Sequence, residues 1–90
     1  MAEGAAAPTW ETLKRDGNGF FGSSNFHDAV TAYTAALSLD MPAADRSTIL
    51  NNRAMSHLKL KQYAPAVEDC TTAMMHTTDS ATILKSLYRR

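Results

Sequence analysis

The chain has 90 residues, 44% of them apolar and 20% charged, which suits one small globular domain and argues against a chain that is disordered throughout. Nine basic and nine acidic side chains cancel, so overall charge gives no drive toward nucleic acid or a membrane surface. A single cysteine, Cys70, leaves no intramolecular disulfide and fits a reducing compartment.

Met1 to Ala7 is small and without periodicity, and residues 1–8 are expected to be a disordered tail. The opening "MAEGAAAPTW" has no basic n-region and no long apolar run, so it makes a poor secretory signal. No run reaches the roughly 18 apolar residues of a transmembrane helix. A soluble, cytoplasmic protein is expected.

Pro8-Thr9 opens a first helix, with Thr9 as N-cap and Glu11 in the first turn. Trp10, Leu13, Gly17, Phe20 and Phe21 follow a 3/4 spacing. "GSSNF" is a turn, and a second helix runs over about Phe26 to Leu39. "DMPAAD" breaks the chain at Pro42. The third helix is expected from about Arg46 to Leu60, capped by Asp45 or Ser47, with Ile49, Leu50, Ala54, Met55 and Leu58 apolar. After "KQY" a fourth helix starts near Ala64, with Pro65 tolerated in its first turn. Ala66, Val67, Cys70, Ala73 and Met74 form its apolar face. "HTTDS" is the next break, and "ATILKSLYRR" is a fifth helix. No stretch alternates with the period of a strand.

The chain repeats itself. Leu13 falls on Leu50 at an offset of 37 residues, which also pairs Gly17 with Ala54, Phe26 with Tyr63, Ala29 with Ala66, Tyr33 with Cys70 and Ala36 with Ala73. Leu84 follows Leu50 by 34 residues. Two antiparallel helices per 34 residues are the mark of a tetratricopeptide repeat, the first unit being lengthened by the "MPAAD" loop. The expected fold is all-α: two helix-turn-helix repeats, about 10–41 and 47–78, then a final helix at about 80–90, in a right-handed superhelical stack. Small residues at Gly17, Ala29, Ala54 and Ala66 let backbones approach. Phe20, Tyr33 and Leu58 are expected to fill the gaps, and a buried, inert Cys70 thiol follows from its core repeat position.

With these residues the chain resembles the tetratricopeptide co-chaperones that grip the C-terminal Glu-Glu-Val-Asp tail of heat-shock protein 90 or heat-shock protein 70. The resemblance covers about Trp10 to Arg90. It implies a carboxylate clamp built from Lys14 and Asn18 on the first helix, Asn52 in "NNRA" on the third, and Lys85 and Arg89 in "KSLYR" on the fifth. The chemistry suits that assignment. Residues four apart share one helix face, Lys and Arg bring charge and donors, and Asn amides orient a carboxylate. Phe21, Met55 and Lys59 are expected on the same surface, the first two as an apolar seat for the peptide's valine or the residues before it. Gly17 is expected to pack on the opposite face of the first helix from Lys14 and Asn18. Asp28, Glu68 and Asp69 lie on the second helices of the pairs, away from this groove. The terminal stretch also resembles short two-repeat adaptors of heat-shock protein 90. The clamp itself does not choose between the two chaperones.

Other classes fare worse. His27, His57, His76 and Cys70 lack metal-ligand spacing, so no metal or cofactor is expected. His57 occupies a large-residue position of the repeat and reads as packed. "GNG" follows no strand and is no phosphate loop. No catalytic residues are assigned, and the chain reads as a non-enzyme. A scaffold that takes an unrelated protein through the same groove is the alternative. An ending just past the last clamp residue leaves little to cover the fourth helix, so low stability or weak self-association is expected.

Overall fold

The structure, a computed structural model, describes residues 8–77. Four helices follow one another: α1 (Trp10–Gly22), α2 (Phe26–Leu37), α3 (Ala43–Lys59) and α4 (Tyr63–Thr77). They form two helical hairpins, α1 on α2 and α3 on α4, joined by packing of α2 on α3. This is the all-α, tetratricopeptide-like arrangement the repeat implies. The tail before Pro8 and the fifth helix lie outside the described residues.

α1 starts where its sequence predicts. Thr9 is the N-cap, and its hydroxyl accepts a hydrogen bond from the Thr12 amide at 3.2 Å. The helix ends in a turn closed by Asn25 N–H to Phe20 O at 2.8 Å and Ser24 N–H to Phe21 O at 3.0 Å. That pair of bonds is a Schellman cap, and Ser24 takes the left-handed position at φ 64°. α3 ends identically. Gln62 N–H reaches His57 O at 2.8 Å, Lys61 N–H reaches Leu58 O at 2.9 Å, and Lys61 has φ 61°. Each member of the second turn lies 37 residues beyond its counterpart, so the sequence offset is also a backbone repeat.

α3 begins nearly a turn earlier than its sequence suggests, at Ala43 behind Pro42. Pro42 fixes the entry and two alanines extend the helix at little entropic cost. Neither Asp45 nor Ser47 is needed as a cap. Ser47 is buried, and its hydroxyl donates to Ala73 O on α4 at 2.8 Å. Arg46 donates to Leu37 O at 2.9 Å and Leu39 O at 2.8 Å, satisfying carbonyls freed at the end of α2.

The core between the hairpins is made of Ala29, Tyr33, Ala36 and Ile49, with Trp10, Leu13, Phe20, Phe21, Leu37 and Met41 packed around it. Leu50, Ala54, Ala66 and Ala73 are buried where α3 meets α4. The outer face of α4 differs from the sequence expectation. Val67 is 63% exposed and Met75 71% exposed, and Met74 and Cys70 are exposed as well. Leu58, expected to fill a gap, is exposed too.

One polar cluster holds the second hairpin to the first. Arg53 on α3 grips Asp69 on α4 with both arms, Nε to Oδ2 at 2.7 Å and Nη2 to Oδ1 at 2.6 Å. Its remaining nitrogen Nη1 donates to Thr34 Oγ1 on α2 at 3.2 Å. His57 packs beside the pair, with Nε2 3.6 Å from Asp69 Oδ2 and Nδ1 2.8 Å from Gln62 Oε1. Asp69 thus lies on the second helix of its pair, as expected, but buried rather than solvated.

Candidate functional site

A pocket of about 280 Å³ opens between α1 and α3. Among the described residues it is lined by Asn18, Phe21 and Gly22 from α1, Tyr33 from α2, and Asn52 and Met55 from α3. Four of the eight residues singled out from the sequence, Asn18, Phe21, Asn52 and Met55, therefore meet in one concavity. Lys14 lies one turn before Asn18 on α1, half-buried, and does not line it. Lys59 is exposed one turn beyond Met55 on α3, also outside the lining. Lys85 and Arg89 lie outside the described residues.

The helix periods explain the convergence. Asn18 and Phe21 are three apart on α1, and Asn52 and Met55 are three apart on α3, so each pair shares a face. Phe21 is steadied from behind by Phe26, edge to face, with ring centroids 5.3 Å apart. Met55 is half-exposed at the rim and offers adaptable apolar surface.

A hydrogen-bonded trio forms the polar floor. Asn52 Nδ2 donates to Asn18 Oδ1 at 3.1 Å, across 34 residues of sequence. Tyr33 O–H donates to the same oxygen at 2.6 Å. Burial pushes the Tyr33 phenol above its ordinary value, and a side-chain hydrogen bond with Asn52 pulls the other way.

Tyr33 was not among the residues singled out for the site. Its ring reads from the sequence as core filling, and it is: Tyr33 is 1% exposed, and its carbons lie against Gly17. The same ring carries its hydroxyl through to Asn18. Packing and the polar site are therefore not on opposite faces of α1. One tyrosine touches both neighbours, Gly17 with its ring and Asn18 with its oxygen. The available signal was chemical: a tyrosine rather than a phenylalanine at a core position needs a partner for its hydroxyl.

Among the described residues no three of His, Cys, Asp and Glu gather as a metal site. No described helix is long and apolar enough to cross a membrane. Cys70 is exposed on α4, so the expectation of a buried thiol is corrected. The second repeat pairs it with Tyr33 by offset, but α4 buries Ala66, Asp69 and Ala73 instead.

Similarity to known proteins bears on the same region. The chain is 38% identical over 76 residues to the E3 ubiquitin-protein ligase CHIP of Arabidopsis thaliana, covering 82% of this chain and 26% of that protein. It is 39% identical over 90 residues to the mouse protein unc-45 homolog B, all of this chain and 9% of that one. A DnaJ homolog subfamily C member 7 homolog of Dictyostelium discoideum is 35% identical over 65 residues, 71% of this chain and 12% of the relative. The chain thus spans about a quarter or less of the length of these relatives. Similarity to these proteins agrees with the all-α, tetratricopeptide-like fold of the four helices. No protein-family model matches the chain, and no solved structure does.

Proposed function

We propose that the chain is a non-enzymatic adaptor module that closes its groove on the C-terminal carboxylate of a peptide, the Glu-Glu-Val-Asp tail of heat-shock protein 90 or 70. The observation that carries the reading is the Asn18–Asn52 hydrogen bond, which joins two amides from separate repeats at the floor of one pocket. A terminal aspartate offers two carboxylates. Amide donors fix their orientation, and flanking cations supply the charge. Lys14 is the cation one turn from Asn18. Lys85 and Arg89 complete the clamp in this proposal. Phe21 and Met55 seat the apolar residue before the terminus. Lys59, further along α3, is assigned to the acidic stretch of the tail. The relatives with chaperone-linked names, a DnaJ homolog among them, support the choice of partner.

Calorimetry with a peptide ending in Glu-Glu-Val-Asp and with its C-terminal amide tests the proposal. The free carboxylate is expected to bind, and the amide is expected to bind far more weakly. Affinity for the free acid is expected to fall as salt rises, because Lys14 and Lys59 are at least partly open to solvent, where salt screens them. Equal affinity for both peptides points instead to a groove that takes internal segments of an unrelated partner. Lys14→Glu and Lys85→Glu are each expected to abolish binding while the helical signal stays largely intact.

A further inference from the structure

We infer that Tyr33 is a positioning residue for the groove: its hydroxyl holds the Asn18 amide so that the NH2 group, not the carbonyl, is presented to a ligand carboxylate. The inference rests on the clamp reading above and adds to it the element that orients its central amide.

An asparagine amide has two unlike ends. Its NH2 attracts a carboxylate and its carbonyl oxygen repels one, so a clamp asparagine works in one orientation only. Asn18 is exposed on α1, and nothing about an exposed amide sets that orientation by itself. Here two donors converge on its oxygen, the Tyr33 hydroxyl at 2.6 Å and Asn52 Nδ2 at 3.1 Å. Both lone pairs of Oδ1 are then engaged, and the NH2 end is the one left to face outward. Turning the amide over would break both bonds.

Tyr33 is the fixed member of the trio. Its ring is almost wholly buried and lies flush on the Gly17 backbone, so its oxygen cannot drift. Asn52, by contrast, is only half-buried and is itself a proposed ligand contact. If Asn52 turns its donor to the peptide, Tyr33 still holds Asn18. The glycine at position 17 therefore serves the site indirectly, by letting the ring slide under α1 until the hydroxyl reaches the amide.

Tyr33→Phe keeps the ring and deletes only the hydroxyl. Two readouts on the full chain test the inference. In the ligand-free protein, the Asn18 side-chain carbonyl carbon reports bonds accepted by its oxygen, and its resonance is expected to move upfield in Tyr33→Phe while that of the exposed Asn51 stays put. In calorimetry, affinity for the free-acid peptide is expected to fall about tenfold, with affinity for the amidated peptide unchanged. Asn18→Asp is the second variant. It keeps both accepted hydrogen bonds but replaces the outward NH2 by an oxygen, and loss of free-acid binding is expected. An unmoved carbonyl resonance in Tyr33→Phe overturns the inference. So does a moved resonance with unchanged free-acid affinity, or wild-type binding by Asn18→Asp. Should the wild-type chain bind neither peptide, the clamp reading fails, and the carbonyl resonance alone still decides whether Tyr33 orients Asn18.

Discussion

Gly17 and Tyr33 are in direct contact, and the contact leaves no room for a side chain on α1. A Cβ built on Gly17 would lie 2.5 Å from Tyr33 Cε1 and 2.6 Å from Cδ1. Those are ring atoms of a buried residue, so they cannot swing aside. Gly17→Ala gains about 1 kcal/mol of helix propensity, yet the overpacking costs about 1–3 kcal/mol and should win. Gly19 is the control. It lies on the same helix with nothing within 4 Å of its would-be Cβ, so Gly19→Ala should stabilise by roughly 0.5–1 kcal/mol. Urea denaturation of the two variants is expected to show shifts of opposite sign.

The twin turns allow a second test. Ser24 and Lys61 hold the left-handed position of two Schellman caps, a conformation that costs an L-residue roughly 1–2 kcal/mol. Glycine removes that cost and adds chain entropy to the unfolded state. Ser24→Gly and Lys61→Gly should therefore each stabilise by about 0.5–1 kcal/mol, and the two should add because the turns cap different hairpins. Thermal melts of both single variants and the double variant check the sign and the sum.

The Arg53–Asp69 pair should be costly to break from one side. Asp69 is 5% exposed and takes both arms of the guanidinium. Arg53→Met leaves its carboxylate buried beside a neutral side chain, at about 3 kcal/mol or more. Adding Asp69→Leu removes the orphaned charge, so the double variant should recover part of the loss. Arg53→Lys should fall between wild type and Met, since an ammonium cannot grip both oxygens in parallel and also reach Thr34. Denaturant midpoints for the four proteins measure the order.

The four helices could be read from apolar spacing and from the turn residues between them, because both depend on local sequence. The start of α3 could not: Ser47 looks like a cap, but its hydroxyl is spent on Ala73 O of another helix. Cys70 and Leu58 have core character by repeat position, yet burial depends on what packs outside each helix, and both are exposed. Arg53 and Asp69 read as ordinary charges until the register of α3 on α4 sets them 2.6 Å apart. Asn18 and Asn52 were legible through the resemblance to carboxylate-clamp proteins, and the structure brings the two amides within 3.1 Å. Tyr33 was half legible, its ring through periodicity and its hydroxyl only through the distance to Asn18.

That buried hydroxyl also gives the fold a dependence on alkaline pH. Burial disfavours the Tyr33 phenolate, so the phenol ionises above the ordinary tyrosine value of about 10 in the folded chain. The unfolded chain releases its proton first, near that value. Between the two pKa values the folded state binds more protons, so unfolding stability falls as pH rises. Below about pH 9 the Tyr33 contribution is fully present and flat. Tyr33→Phe has no proton to lose. The stability difference between wild type and Tyr33→Phe should thus be constant from pH 7 to 9 and decline above pH 10. Taking the difference cancels the contribution of every group the two proteins share. Urea denaturation of the two chains at stepped pH measures it, and a difference that grows with pH would show that the fold favours the phenolate instead.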